Sequence, residues 1–175
     1  MEGVLKGAKA ENLVKMQRDI SYRAKDERPP KAVKIIEETS KNSDIMYIEI
    51  DLPFPMTNRD FVQKRLFVQN KEDPELVKQL GLWNWDHAYN VVMIQSVERA
   101  EYPVKSKPIR AETSINFILF EENPADKTSL KVTWVLSQDL RGDIPKMIIN
   151  SMGEKVPKKI FTEMLKNHEK NFGKA

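Results

Sequence analysis

From Asp44 to Asp139 apolar and polar residues alternate in several separate runs with a period of two, and from Ile144 to Phe172 the apolar spacing becomes four. This change of period limits the fold more than any other feature. Alternating runs make strands with one face to bury, and a long helical stripe at the end of the chain is available to cover it. The expectation is an α+β layer arrangement. Its strands are Val33–Glu37 and Asp44–Leu52 joined by a turn at Ser40–Ser43, then Arg59–Gln69, Ala88–Val97, Ile109–Phe120 and Ser129–Asp139. Met46, Ile48, Ile50 and Leu52 share one face of the second strand, and Tyr47, Glu49 and Asp51 the other. On the third, Phe61, Arg65 and Phe67 oppose Val62, Lys64, Leu66 and Val68, so both faces are partly apolar.

Helices are expected at Glu11–Lys25, from the spacing of Leu13, Met16, Ile20 and Ala24, and at Asp73–Gly81, with proline at its start and glycine at its end. The last helix opens near Asp143-Ile144-Pro145, and its stripe is Ile144, Ile148, Met152, Val156, Ile160, Met164, His168 and Phe172. Each four-residue step overshoots a turn by ~40°, so the stripe spirals unless the helix bends, and Gly153 with Pro157 supplies a place to bend.

The 175 residues are 40% hydrophobic and 31% charged, which suits one domain over residues 1–175 with a sizeable core. No apolar run is long enough to span a bilayer and Met1–Lys6 has no signal-peptide core, so a cytoplasmic protein is expected. The absence of cysteine excludes disulfides, thiolate catalysis and cysteine metal sites. The net charge of +3 arises wholly from residues 154–175, with six Lys and three Glu, since the rest holds 23 of each sign. The basic residues are not interleaved with aromatics, so a nucleic-acid partner is not expected. His87 and His168 lack metal-ligand spacing and are expected as polar surface or helix residues. No phosphate loop, nucleophile elbow or paired-carboxylate motif occurs. No metal, cofactor or catalytic residue is expected, and the chain is not read as an enzyme.

The loop Leu52-Pro53-Phe54-Pro55-Met56-Thr57-Asn58 feeds directly into Arg59-Asp60-Phe61-Val62. Each proline fixes its own φ and holds the preceding residue extended, so Phe54 sits in a stiff arch. Together with Ile109-Arg110-Ala111-Glu112 and Asp139-Leu140-Arg141-Gly142-Asp143-Ile144-Pro145-Lys146, in this order and spacing, the loop resembles a START domain, the lipid-transfer domain named after the steroidogenic acute regulatory protein. The resemblance runs from about Gly3 to Phe172. It implies a helix-grip fold, in which a curved antiparallel sheet holds a long C-terminal helix across a lipid-sized tunnel. It also implies one lipid as partner, a sterol or a phospholipid, and transfer of that lipid between membranes. Family members begin with a helix and two strands that have no counterpart before Gly3, and an open sheet edge of that kind favours pairing with a second copy.

Arg65 shares a strand face with Phe61 and Phe67, so it needs an anion, a hydroxyl network or solvent to offset desolvation. In sterol-binding START domains an arginine at the matching place anchors the ligand with an acidic partner, and Glu49 is the expected partner here. Tyr22-Arg23 resembles the Tyr-Arg pair after the family's early helix, whose arginine faces the phosphate in phosphatidylcholine-binding members. The family motif continues into Trp-Asp, where this chain has Asp26-Glu27, with Glu27 in the place of the aspartate. Lys131–Ser137, including Trp134, resembles sterol-carrying members. Met147, Met152 and Met164 would form an adaptable lid with Ile148 and Ile160 of the same stripe, although ordinary core packing explains the methionines equally well. The resemblance further implies that Phe54 touches a membrane surface transiently. A lipid sensor that regulates a partner, and an enzyme of the wider helix-grip superfamily with a titratable pair in the tunnel, are the alternatives.

Overall fold

The computed structural model describes residues 1–26 and 29–173, with the backbone alone for residues 146–158. In chain order the elements are β1 (Glu2–Lys6), α1 (Ala10–Arg18), a 3-10 turn (Ile20–Lys25), β2 (Ala32–Ser40), β3 (Ser43–Ile50), β4 (Arg59–Gln69), α2 (Pro74–Gln79), β5 (Tyr89–Ser96), β6 (Ile109–Arg110), β7 (Glu112–Glu122), β8 (Ser129–Asp139) and α3 (Lys146–Phe172). Seven strands form one antiparallel sheet in the order β1-β8-β7-β5-β4-β3-β2, and β6 pairs in parallel with the start of β4. A curved sheet with a C-terminal helix is the α+β, helix-grip architecture expected. Register shifts in β2 and β7 place extra residues in the ladder, which is how a strand acquires local bend and twist.

The alternation works as read. Phe67, Val92, Ile118 and Trp134 form a cross-strand row on the helix-covered face, and Leu66, Met93, Phe117 and Val135 form the next row on the opposite face. The first face is closed by Leu13 and Val14 of α1 and by Met164 of α3, with Phe161 and Leu165 packed alongside. The second is covered in part by the β4–β5 connection, where Val77, Leu82 and Trp85 pack on Val68, Tyr89, Val91 and Leu119. This explains why β4 is apolar on both sides.

Three expectations are corrected. The early helix stops at Arg18 because Asp19 turns extended (φ −80°, ψ 107°) and its Oδ1 accepts the Ser21 N–H at 2.9 Å, starting a separate 3-10 turn. The strand expected over Ile109–Phe120 is broken at Ala111, whose N–H is taken by the Asp60 carbonyl at 2.9 Å, so β6 and β7 pair with different neighbours. A strand precedes the first helix: β1 pairs with β8, and a Cβ on Gly3 would come within 3.0 Å of the Phe161 ring, so glycine permits α3 to lie close on β1. Among the described residues, β1 has a strand neighbour on one side only. The proposed bend at Gly153 and Pro157 lies outside the described side chains. Among the described residues, no helix is long and apolar enough to cross a membrane.

Candidate functional site

Arg65 on β4 lies directly opposite Asp44 on β3. Its Nε donates to Asp44 Oδ1 at 2.7 Å and one terminal nitrogen to Oδ2 at 2.8 Å, a bidentate pair on a side chain 1% exposed. The remaining donors reach the carbonyls of Gln17 at 2.7 Å and Arg18 at 3.0 Å. These carbonyls belong to the last turn of α1, which has no helical partner for them, so Arg65 caps that helix. The partner expected from the sequence, Glu49, is corrected to Asp44. Glu49 is an odd number of residues from Asp44 and therefore points to the other side of the sheet, where it pairs with Lys31 at 3.0 Å and accepts from Asn58 at 3.2 Å. The Lys31 hydrogen bond comes first among the causes that hold the Glu49 carboxyl below its ordinary range.

The capped end of α1 sets up a second arginine. Arg23, in the 3-10 turn, donates to Gln17 Oε1 at 2.7 Å, from the same residue whose carbonyl Arg65 holds. Its other terminal nitrogen is 4.0 Å from Asp26, and its Nε is buried with no hydrogen-bond partner among the described residues. Burial lowers the Arg23 pKa, Asp26 opposes that shift and the Arg65 charge adds to it, yet a guanidinium stays protonated at neutral pH. Burial likewise raises the pKa of Asp26, against the pull of Arg23. Asp26 is steadied from α3 by the Asn167 amide at 2.9 Å.

These groups line a cavity of about 210 Å³ between α1, the 3-10 turn, β8 and α3. Its lining combines the apolar side chains of Met16, Trp134, Ile160 and Met164 with the polar ones of Gln17, Tyr22, Arg23, Asp26, Glu163, Lys166 and Asn167. The Trp134 indole N–H is already used on Asn116 Oδ1 at 2.7 Å, which fixes the ring. The arrangement is a pocket of mixed lining in which the Arg23 cation lies among apolar side chains, suited to an anionic or strongly accepting group attached to an apolar body.

Of the residues expected at a binding site, the structure brings Arg23, Trp134, Ile160 and Met164 together. Arg65 supports the site from behind α1, and Glu49 is on the other side of the sheet. Glu27 and the side chains of Met147, Ile148 and Met152 lie outside the described residues. Phe54 projects from the β3–β4 loop, 98% exposed. Of the two histidines, His87 is partly exposed and His168 is a helix residue of α3, as expected, but His168 is buried, accepting the Lys9 N–H at Nε2 (3.3 Å), with Asn12 Nδ2 at 3.2 Å. Gln17, Asp26, Glu163, Lys166 and Asn167 were missed. Helical spacing holds a signal for two of them, since Glu163 follows Ile160 by three residues and Asn167 follows Glu163 by four.

Comparison with known proteins adds to this geometry. Mouse phosphatidylcholine transfer protein is 26% identical over 148 residues, which take in 85% of this chain and 62% of that protein. The chain therefore spans less than two thirds of that relative's length. The structure of human STARD10 superposes with a TM-score of 0.78 at 23% identity, covering 97% of this chain and 62% of the other. Human StAR-related lipid transfer protein 5 superposes with a TM-score of 0.75 at 17% identity, covering 97% and 74%. Both share the fold. The family model of the START domain matches residues 2–171, nearly the whole chain, and the protein belongs to that family.

Proposed function

We propose that this domain takes up a single phospholipid, shields its acyl chains and carries it between membranes. One observation carries the reading: Arg23, partly exposed and with one terminal nitrogen as far as 4.0 Å from the Asp26 carboxylate, lines a cavity beside the apolar side chains of Met16, Trp134, Ile160 and Met164. A phosphate would complete its hydrogen bonding. Arg65, the anchor expected for a sterol, already gives its donors to Asp44 and the α1 carbonyls, which favours the phospholipid over the sterol. The similarity to a phosphatidylcholine transfer protein supports the same choice. A cavity of about 210 Å³ is headgroup-sized, below the ~300–1,000 Å³ of a whole small-molecule site, so it is read as the polar end of a longer tunnel. At ~25 cal/mol per Å² of apolar surface hidden, the acyl chains supply the driving force and Arg23 the selection.

On this reading the domain is a cytoplasmic carrier that makes and breaks no bond. Phe54 meets the bilayer transiently, and the free edge of β1 is where a second copy would add a strand. Native mass spectrometry of the purified protein, with identification of any co-purifying lipid, and transfer of fluorescent phosphatidylcholine between vesicles test it together. One bound phospholipid and measurable transfer are expected. Retention without transfer would make the domain a sensor, and a protein that neither holds nor takes up lipid would overturn the proposal. Gel filtration decides the dimer.

A further inference from the structure

We infer that the loop from Arg99 to Pro108 is a second membrane-contact element, one that selects bilayers carrying anionic headgroups. After Phe54, Val104 is the most exposed large hydrophobic residue among those described, at 67%. The two belong to different loops that leave the sheet at the same end. β4 and β6 run parallel from adjacent starting points, the Ile109 N–H donates to the Asn58 carbonyl at 3.0 Å, and Arg110 holds Asp60 through two bonds of 2.9 and 3.0 Å. The Phe54 loop ends at that junction and so does the Val104 loop.

The base of the second loop is fixed while its tip is free. Arg110 donates to the Tyr102 carbonyl at 3.2 Å, the Tyr102 ring lies 5.5 Å from Tyr47, and Lys34 sits over it at 4.6 Å. Beyond Tyr102, Val104, Lys105 and Lys107 are all exposed, and neither lysine forms an ion pair with a described residue. Arg99 is occupied by Glu37 at 2.9 Å, leaving Glu101 as the one acidic residue of the loop against the two free lysines. An apolar tip flanked by unpaired cations, held beside a second exposed aromatic tip, is complementary to a bilayer surface with negative headgroups.

The carrier reading supplies the choice of a bilayer as partner. The test separates the two: flotation with phosphatidylcholine vesicles, with and without phosphatidylserine, run beside uptake of a short-chain phosphatidylcholine offered below its micelle concentration. The wild-type protein should partition more strongly onto the phosphatidylserine vesicles. The double variant K105Q/K107Q should lose roughly thirtyfold of that partition and none on neutral vesicles, and V104D should weaken both. All three proteins should take up the short-chain lipid alike. Equal partition of the wild-type protein onto both vesicle types, or of the double variant and wild type onto anionic ones, would overturn the inference. Failure of short-chain uptake by every protein, with the flotation pattern intact, would overturn the carrier reading and leave this one standing.

Discussion

Arg65 and Asp44 close a bidentate ion pair across β3 and β4 at 2.7 and 2.8 Å, and the same guanidinium holds the last carbonyls of α1. The pair joins the sheet to the helix that carries the cavity wall.

Breaking it should cost stability first. Arg65→Ala leaves a buried carboxylate and uncapped carbonyls, and urea unfolding should show a loss of about 3–5 kcal/mol. Asp44→Leu combined with Arg65→Met should recover much of that loss, since an apolar pair of similar volume removes the stranded charge. Loss of lipid binding in Arg65→Ala with undiminished stability would return the residue to the role of ligand anchor.

Arg23 should behave in the opposite way. Arg23→Gln keeps a polar group near Gln17 and should change stability by no more than ~1 kcal/mol, whereas charge-assisted bonds to a phosphate are worth ~1.5–3 kcal/mol. Phospholipid affinity should fall by about tenfold or more, read by equilibrium transfer of a fluorescent analogue.

His168 should make stability depend on mild acid. Burial pushes its pKa below the model-compound value of 6.5, with Lys9 adding to the shift and Glu169 opposing it. The unfolded chain therefore binds a proton more readily than the folded one. Stability is fully present above pH 6.5 and is lost as pH falls toward the depressed folded value. In His168→Gln, whose side-chain oxygen also accepts from Lys9, the urea midpoint should change less between pH 7 and pH 5 than in the wild type.

Met164 belongs both to the core and to the cavity wall. Met164→Ala should destabilise by about 2–5 kcal/mol, and saturating short-chain phospholipid should recover part of that loss, because a ligand that binds only the folded state fills the space. No recovery would place Met164 outside the ligand's reach.

Much of the fold was legible because period-two alternation marks a half-buried strand wherever it occurs, and the terminal change of period marked α3. What escaped depended on single hydrogen bonds. Asp19 breaks the early helix by accepting from Ser21, and Ala111 breaks a strand by donating to Asp60, and neither leaves a trace in hydrophobic spacing. β1 is too short and too mixed in character to announce itself, with Gly3 as its second residue and its pairing partner β8 far along the chain. At the site, Arg65 was correctly seen as an arginine needing a partner on an apolar face. The parity of β3 already excluded Glu49, and an even step from Met46 leads to Asp44. Arg23 is visible in the sequence only through its resemblance to a family motif; its partners Gln17 and Asp26 are close in sequence, but Glu163, Lys166 and Asn167 of the same cavity come from α3, and no local pattern joins positions so far apart.

The pairing of β1 with β8, which sets Leu5 opposite Leu130, also dictates when this protein can fold. During synthesis β1 and α1 leave the ribosome long before β8 and α3, which receive them. Leu13 and Val14 have no finished core to enter until β8 and Met164 have emerged. Contacts that close loops of this size are formed slowly, and the apolar faces of β4 and β5 stay uncovered meanwhile. The domain should therefore fold as one cooperative event only once β8 and α3 are both available.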